Sequence, residues 1–348
     1  MSPGASAKPA ESRLAGKRRA AGGQSLVLIL IAVAICVVTA IVNPRFLRVQ
    51  NLINILQQIS ILGIVACGIG MLLVAGQIDI SAGSQISLMG IILALVIQKM
   101  LGNPGTAVPP VQAALAFPVA VGVTVLLGLL MGLINGVVVI ASRASSFIIT
   151  LGFMTAYHGA ALLSGSGTGY PMNGRFELIG RGRIFDLIPI PILFFLGTVV
   201  ITFFILRNFR YGRHLYAIGG NRAAAYVSGI KTTRITITAF VVVGLCTALA
   251  ALLLISRVGF AQENTGGSFG LDALAAVIVG GLSLSGGKGN ALNILLGVLL
   301  IGLITNALVI MRVSPYARDL VMGIIIITAV TIAQRSRERG MSSWGSSS

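Results

Sequence analysis

The chain has 348 residues, of which 56% are hydrophobic and only 9% charged, with a mean hydropathy of +0.97 and a net charge of +17. Soluble domains carry about 25% charged residues, so the composition excludes a soluble protein. The positive charge does not point to nucleic acid. The basic residues sit in short segments beside apolar runs, without a basic face interleaved with aromatics, a distribution that orients a chain in a bilayer and attracts membrane lipid.

Residues 1–24, with Lys8, Arg13, Lys17, Arg18 and Arg19 against Glu11, read as a disordered basic cytoplasmic tail. The first apolar run is 25–42. Val38-Thr39-Ala40 would serve as a signal-peptidase site, but a run of roughly 18 residues exceeds the usual h-region, which favours an uncleaved first span. Further apolar runs lie at 53–75, 84–96, 113–140, 147–163, 188–206, 235–255, 271–284, 291–311 and 320–332. A helical crossing takes about 20 apolar residues, and these runs are continuous rather than alternating, which argues against a β-barrel. The expected fold is an all-α integral membrane protein of about ten transmembrane helices, some short or broken. The 44 glycines are too many for loops alone and point to closely approaching helix backbones. Cys36, Cys67 and Cys246 lie inside apolar runs and read as small packing residues, with no metal-site or disulfide spacing.

An even number of crossings puts both ends on one side. The tail 335–348 carries Arg335, Arg337 and Arg339 against Glu338, so both termini are expected in the cytoplasm, flanking a transmembrane domain over 25–334. The same count puts Arg143 and the connector 207–234 inside. That connector holds Arg207, Arg210, Arg213, Arg222, Lys231 and Arg234 and no acid. Within it, Asn221 can cap a helix start, Ala223, Ala224 and Ala225 favour helix, and Gly229 can end it. The connector 165–187 then falls outside, mixing Glu177 and Asp186 with Arg175, Arg181 and Arg183. It suits either a soluble extracytoplasmic partner or a plain solvated loop.

Asp79 and Asp272 are the two acids set closest to the apolar interior without a basic neighbour in sequence. An intramembrane carboxylate is costly and invites a functional reading. Asp79, beside Ser81 in a glycine- and serine-rich break, can line a substrate path or cap exposed N–H groups of the next helix. Asp272, ahead of an Ala-rich run, offers the same two readings. Asn135, Thr150, Thr155, His158, Thr305 and Asn306 lie in or beside spans and can either line a neutral polar path or form interhelical hydrogen bonds. Gly286-Gly287-Lys288-Gly289 fails as a phosphate loop, because Leu282 and Gly289 stand where glycine and Ser/Thr are needed. The chain is expected to have no catalytic residues, no metal site and no cofactor of its own.

Several segments, in order, carry a resemblance. Gly76-Gln77-Ile78-Asp79-Ile80-Ser81-Ala82-Gly83-Ser84 resembles a GGIDLSVGS motif, and Ser146-Phe147-Ile148-Ile149-Thr150-Leu151-Gly152 contains a near match to FIVTLG. Tyr211-Gly212-Arg213, Tyr216 to Asn221, Ala223-Ala224 and Ser228-Gly229-Ile230 follow, then Ser256-Arg257, Gly270 to Ala276 and Gly280 to Gly287. Together they resemble the ribose-type (monosaccharide) permeases of ABC importers, relatives of the branched-chain amino acid permeases, over about 45–332. The resemblance implies a multi-pass protein of the bacterial inner membrane that works with a second permease copy or a paralogue. It also implies cytoplasmic ATPases carrying ATP and Mg, and a periplasmic or lipid-anchored sugar-binding protein. It implies that Asn221, Arg222, Ala223, Ala224, Ala225, Ser228 and Gly229 contact the ATPase. Two positions depart from the pattern: Gln77 replaces a usual glycine, and Arg222 replaces an acid, removing a negative charge from the expected contact. Related permeases also carry nucleosides, autoinducer-type sugar derivatives or branched-chain amino acids. A proton-coupled secondary transporter using Asp79, Asp272 or His158 is the rival from another class.

Overall fold

The computed structural model describes residues 26, 28–102, 109–185, 188–314, 316–325, 327, 328 and 331; both predicted tails, 1–24 and 335–348, and Asp186 lie outside these. Seven helices among the described residues are long and apolar enough to cross a membrane. They are α2 (Val49–Val74), α3 (Ala82–Leu101), α4 (Pro110–Ser142), α5 (Ser146–Gly165), α7 (Ile190–Asn208), α10 (Thr232–Val258) and α12 (Ala291–Ile310). Two shorter apolar helices, α1 (Leu28–Val42) and α11 (Phe269–Val279), accompany them, with a further helix, α13, at 316–325. Short helices α6 (Leu178–Arg181), α8 (Arg210–Gly220) and α9 (Arg222–Val227) lie in the connectors. Over the described residues each predicted apolar run lies mainly on a helix, and the run 84–96 is the middle of a full 20-residue span.

α2 is enclosed on most of its surface, with α7, α10, α11 and α12 packed round it. The α4–α10 pair shows why glycine is abundant. Gly128, Gly132 and Gly136 recur every four residues on one face of α4, where a Cβ would run into the Gly244 and Phe240 carbonyl oxygens and approach Ile237 Cα to 3.0 Å. Small residues at this spacing let backbones touch, and such packing is what drives association where lipid removes the hydrophobic incentive. Large apolar side chains on the outer faces of α4, α5 and α7 remain exposed, as lipid-facing surfaces require.

Two breaks interrupt the bundle. Between α2 and α3 the chain runs non-helically over 75–81, and α3 starts inside the protein. α11 has 11 residues, about 16 Å at 1.5 Å per residue, too short to cross. It begins against the start of α3: a Cβ on Gly83 would strike the Gly266 carbonyl and lie 2.8 Å from that of Gly267, and Gly266 N donates to Ser87 Oγ at 2.9 Å. The run expected at 271–284 therefore stops helically at Val279. Residues 280–290 continue as turns, with Gly281, Gly286, Gly287 and Gly289 at positive φ, where side-chain-bearing residues are strained.

At the far end from α8, residues 165–185 of the connector are ordered against α10. Gly180 N donates to Ser256 Oγ (2.8 Å), and Arg181 donates to the Arg257 and Val258 carbonyls (2.8 and 3.2 Å) while pairing with Glu177. Tyr170 and Pro171 pair antiparallel with Phe260 and Ala261. The last carbonyls of α10 thus find partners in an arginine fork instead of water.

Candidate functional site

The predicted polar residues divide into an interior hub, a separate interhelical pair and an outward face. The hub surrounds the break. Asp79 is fully buried; its Oδ1 accepts from Ser81 N (2.8 Å) and Ser81 Oγ (2.6 Å), and its Oδ2 accepts from Asn135 Nδ2 (3.1 Å) and Gln85 Nε2 (3.4 Å). Both amides also donate to Ser81 Oγ at 2.9 Å. Their oxygens are taken in turn: Tyr157 OH donates to Asn135 Oδ1 (2.8 Å) and Thr247 Oγ1 to Gln85 Oε1 (3.0 Å). Every amide orientation is fixed by a neighbour, and the donors converging on Asp79 match an acceptor-only carboxylate. The network joins α3, α4, α5 and α10.

Thr150 and Ser146 serve the break itself. Ser146 Oγ accepts from Ile78 N (3.0 Å), and Thr150 Oγ1 accepts from Ile80 N (3.3 Å) while donating back into its own helix. Irregular backbone at membrane depth persists only where its polar groups are satisfied by protein or water. Asp79 supplies the same service to Ser81 N, next to the first turn of α3. The backbone bond Asp79 makes is thus to the N-cap residue of α3, Ser81. A path role for Asp79, Ser81, Asn135 and Thr150 would need the hub to open, since all four have no exposed surface here.

Asn306 lies elsewhere. It exchanges two 3.0 Å amide bonds with Asn51 across α12 and α2, and Asn51 also donates to the Phe46 carbonyl at 2.9 Å. Thr305 beside it is half-buried. Thr155 and His158 are exposed on α5, away from the hub. Asp272 sits in the first turn of α11, half-buried, with Arg318 and Asp319 within electrostatic reach. Sequence reading overlooked Gln85, Tyr157 and Thr247. Each is one of several polar residues scattered along an apolar helix, and the bond partners of Thr247 and Tyr157 come from other helices.

The second feature is the connector after α7. It holds two helices. α8 buries Gly212, Leu215 and Ile218 and exposes Arg210 and Arg213, an amphipathic spacing that was readable but went unread beside the more obvious Asn221 segment. α9 starts as expected: Asn221 Oδ1 accepts from Ala224 N at 2.9 Å, and the chain leaves through Ser228 and Gly229, the latter at φ +81°. Ala225 is buried against the bundle, while Arg222, Ala223, Ala224, Ser228 and Gly229 are exposed, as are Tyr226 (72%) and Val227 (83%). This short capped helix therefore presents an aromatic and an aliphatic side chain beside Arg222 on the outside of the protein.

A polytopic helical bundle with interrupted helices and a displayed connector helix is the architecture of a membrane permease. Residues 51–330 match the family described as branched-chain amino acid transport system / permease component, and the chain belongs to that family. It is similar to the ribose import permease protein RbsC of Haemophilus influenzae, 36% identical over 312 residues, 88% of this chain and 91% of that one. The Bacillus subtilis protein of the same name is 36% identical over 306 residues, covering 86% and 89%. The galactose/methyl galactoside import permease protein MglC of Escherichia coli is 31% identical over 321 residues, covering 89% and 93%. No solved structure matches.

Proposed function

We propose that the chain is the membrane-spanning subunit of a bacterial ABC importer that moves a monosaccharide of the ribose type across the inner membrane. The carrying observation is the 36% identity to ribose import permeases over nearly the whole length of both chains. Galactose import permeases match at 31–33%, so the cargo class is a monosaccharide, with ribose as the first sugar to try. The rest of the reading follows from charge and packing. The acid-free 207–234 connector faces the cytoplasm. α1, α13 and the stretch 259–287, which passes from the far end of α10 to α8 with α11 as its helical part, complete about ten crossings with both termini inside. Two such subunits, two copies or this chain with a paralogue, enclose the path. ATP and Mg are bound and turned over by paired cytoplasmic ATPases, and a periplasmic or lipid-anchored binding protein delivers the sugar at the opposite end.

In this scheme the chain's own task is mechanical. α9 seats in a groove of the ATPase through Ala223, Ala224, Tyr226 and Val227, with Asn221 holding its start rigid. Arg222 replaces the acid common in relatives, so the partner groove is expected to offer an acid at that point. Affinity purification of the tagged chain in mild detergent tests the reading. Recovery of a P-loop ATPase in stoichiometric amount, and ATP-dependent uptake of labelled ribose once the binding protein is added, is the expected result. A chain that comes alone and takes up solute under a proton gradient would overturn it.

A further inference from the structure

Three stretches of chain, far apart in sequence, meet backbone to backbone under α8. Gly219, near the end of α8, sits so close to the end of α2 that a Cβ there would fall on the Val74 carbonyl oxygen and lie 2.5 Å from Gly287 N. Gly286, at φ +79°, stands against Gly76: its Cβ would approach Gly76 N to 2.6 Å and Gly219 Cα to 2.9 Å. Gly76, at φ +72°, opens the break that leads to Asp79. Two hydrogen bonds pin the junction, Gly287 N to Val74 O at 2.8 Å and Tyr216 OH to Gly289 O at 2.6 Å. No compressible side chain separates the three backbones. From Gly76 only two residues lead to Ile78, whose N–H is held by Ser146 of α5, and one more to Asp79, which holds α4 through Asn135.

We propose that the Gly76–Gly219–Gly286 junction is the joint that carries displacement of α8 and α9 into the break between α2 and α3, and so to the Asp79 hub and to α4 and α5. Gly219 is its positioning residue. Side chains in a joint would absorb motion by changing rotamer. Backbone against backbone passes it on, because packed interfaces switch between arrangements instead of deforming continuously. This deepens the importer reading and rests on it.

The experiment compares Gly219→Ala with Gly220→Ala in the complete complex of permease, ATPase and binding protein, reconstituted in proteoliposomes. A Cβ on Gly220 meets nothing within 4 Å, although the residue is the immediate neighbour on the same helix. The readout is sugar imported per ATP hydrolysed, with subunit stoichiometry checked on the same sample. Gly219→Ala is expected to keep ATP hydrolysis while import per ATP falls at least about fivefold, the lower edge of ordinary coupling between sites. Gly220→Ala is expected to match wild type. Equal behaviour of the two variants, or an unchanged ratio in Gly219→Ala, overturns the proposal. Should Gly219→Ala fail to assemble, Tyr216→Phe decides, since it removes one hydroxyl from the junction: a reduced ratio supports the joint and an unchanged one refutes it. Wild-type complex without ATP-driven import would instead refute the importer reading, which separates the two failures.

Discussion

Asp79→Asn probes the hub with a change of one atom. Oδ1 keeps its two bonds from Ser81, but the amide nitrogen that replaces Oδ2 now faces Asn135 Nδ2, 3.1 Å from the old oxygen, and Gln85 Nε2 at 3.4 Å. Donor faces donor. Neither neighbour can flip to relieve this, because flipping Asn135 forfeits the Tyr157 bond and flipping Gln85 the Thr247 bond. Bonds to a charged acceptor are each worth about 1.5–3 kcal/mol net. The 3.4 Å bond is long, and removing a buried charge recovers some desolvation energy. A net loss of about 2–3 kcal/mol remains, which for a chain of this size corresponds to roughly 4 °C in melting temperature. Fluorescence-detected size-exclusion chromatography after stepped heating in detergent measures it, with Thr155→Ala on the exposed face of α5 as the neutral comparison. Asp79→Asn melting together with wild type would refute the hub as described. Loss of proton-driven uptake at unchanged stability would point to the rival secondary transporter.

Three further outcomes are open to the same assays. Asn306→Leu removes both bonds Asn51 makes to α12, leaving its Oδ1 unpaired and its Nδ2 with the Phe46 carbonyl alone, and is expected to cost about 0.6–1.7 kcal/mol, the range for interhelical hydrogen bonds in membranes; Asn51→Leu/Asn306→Leu should cost less than the two single changes added, and strict additivity would deny the pair. Gly128→Val drives side-chain atoms into the Gly244 carbonyl of α10, whereas Gly122→Val on the same helix meets open space, so only the first should lose its monodisperse peak. Asn221→Ala removes the cap of a six-residue helix, worth about 1 kcal/mol locally; the melting temperature should hold while stimulation of the ATPase falls, and Ala224→Glu on the exposed side should reduce stimulation in the same way.

Much of this was legible in the chain, and the boundary has a physical cause. Apolar runs report directly on membrane burial, so over the described residues each of the ten lies mainly on a helix. Cap chemistry is equally local: Asn221 before three alanines, and a glycine that must turn left-handed, fix α9 without tertiary help. The length of the half-helix α11 was not legible because, past Asp272, the stretch to Leu284 stays largely apolar through Gly280, Gly281 and Ser283, and only packing of 280–290 against Gly76 and Gly219 shows that it turns away. Asp79 was recognised as special from its break, but its partners could not be read. Gln85, Asn135, Tyr157 and Thr247 come from α3, α4, α5 and α10, and nothing in a single helix's pattern says which polar side chain will meet which.

Why an acid stands at the break at all follows from the two helices that begin there. α3 and α11 start back to back inside the bundle, Gly83 against Gly266 and Gly267, so two sets of unsatisfied N–H groups, each equivalent to about half a positive charge, face one another in a low-dielectric interior. Left alone they repel. Asp79 lies two residues before the N-cap of α3 and takes its N–H, and Asp272 lies in the first turn of α11. Each helix thus carries a carboxylate at its positive end, as discontinuous membrane helices do with anionic ligands. The buried charge of Asp79 therefore needs no basic side chain to balance it: the helix starts and the amides of Asn135 and Gln85 do so. This makes Asp79 sensitive to where α3 begins. Any movement of the break that withdraws Ser81 N would leave the carboxylate under-solvated, so the hub favours one position of α3 and resists intermediates. A transporter that must alternate between two states gains from that resistance, because an element with a preferred seat either stays or shifts as a unit.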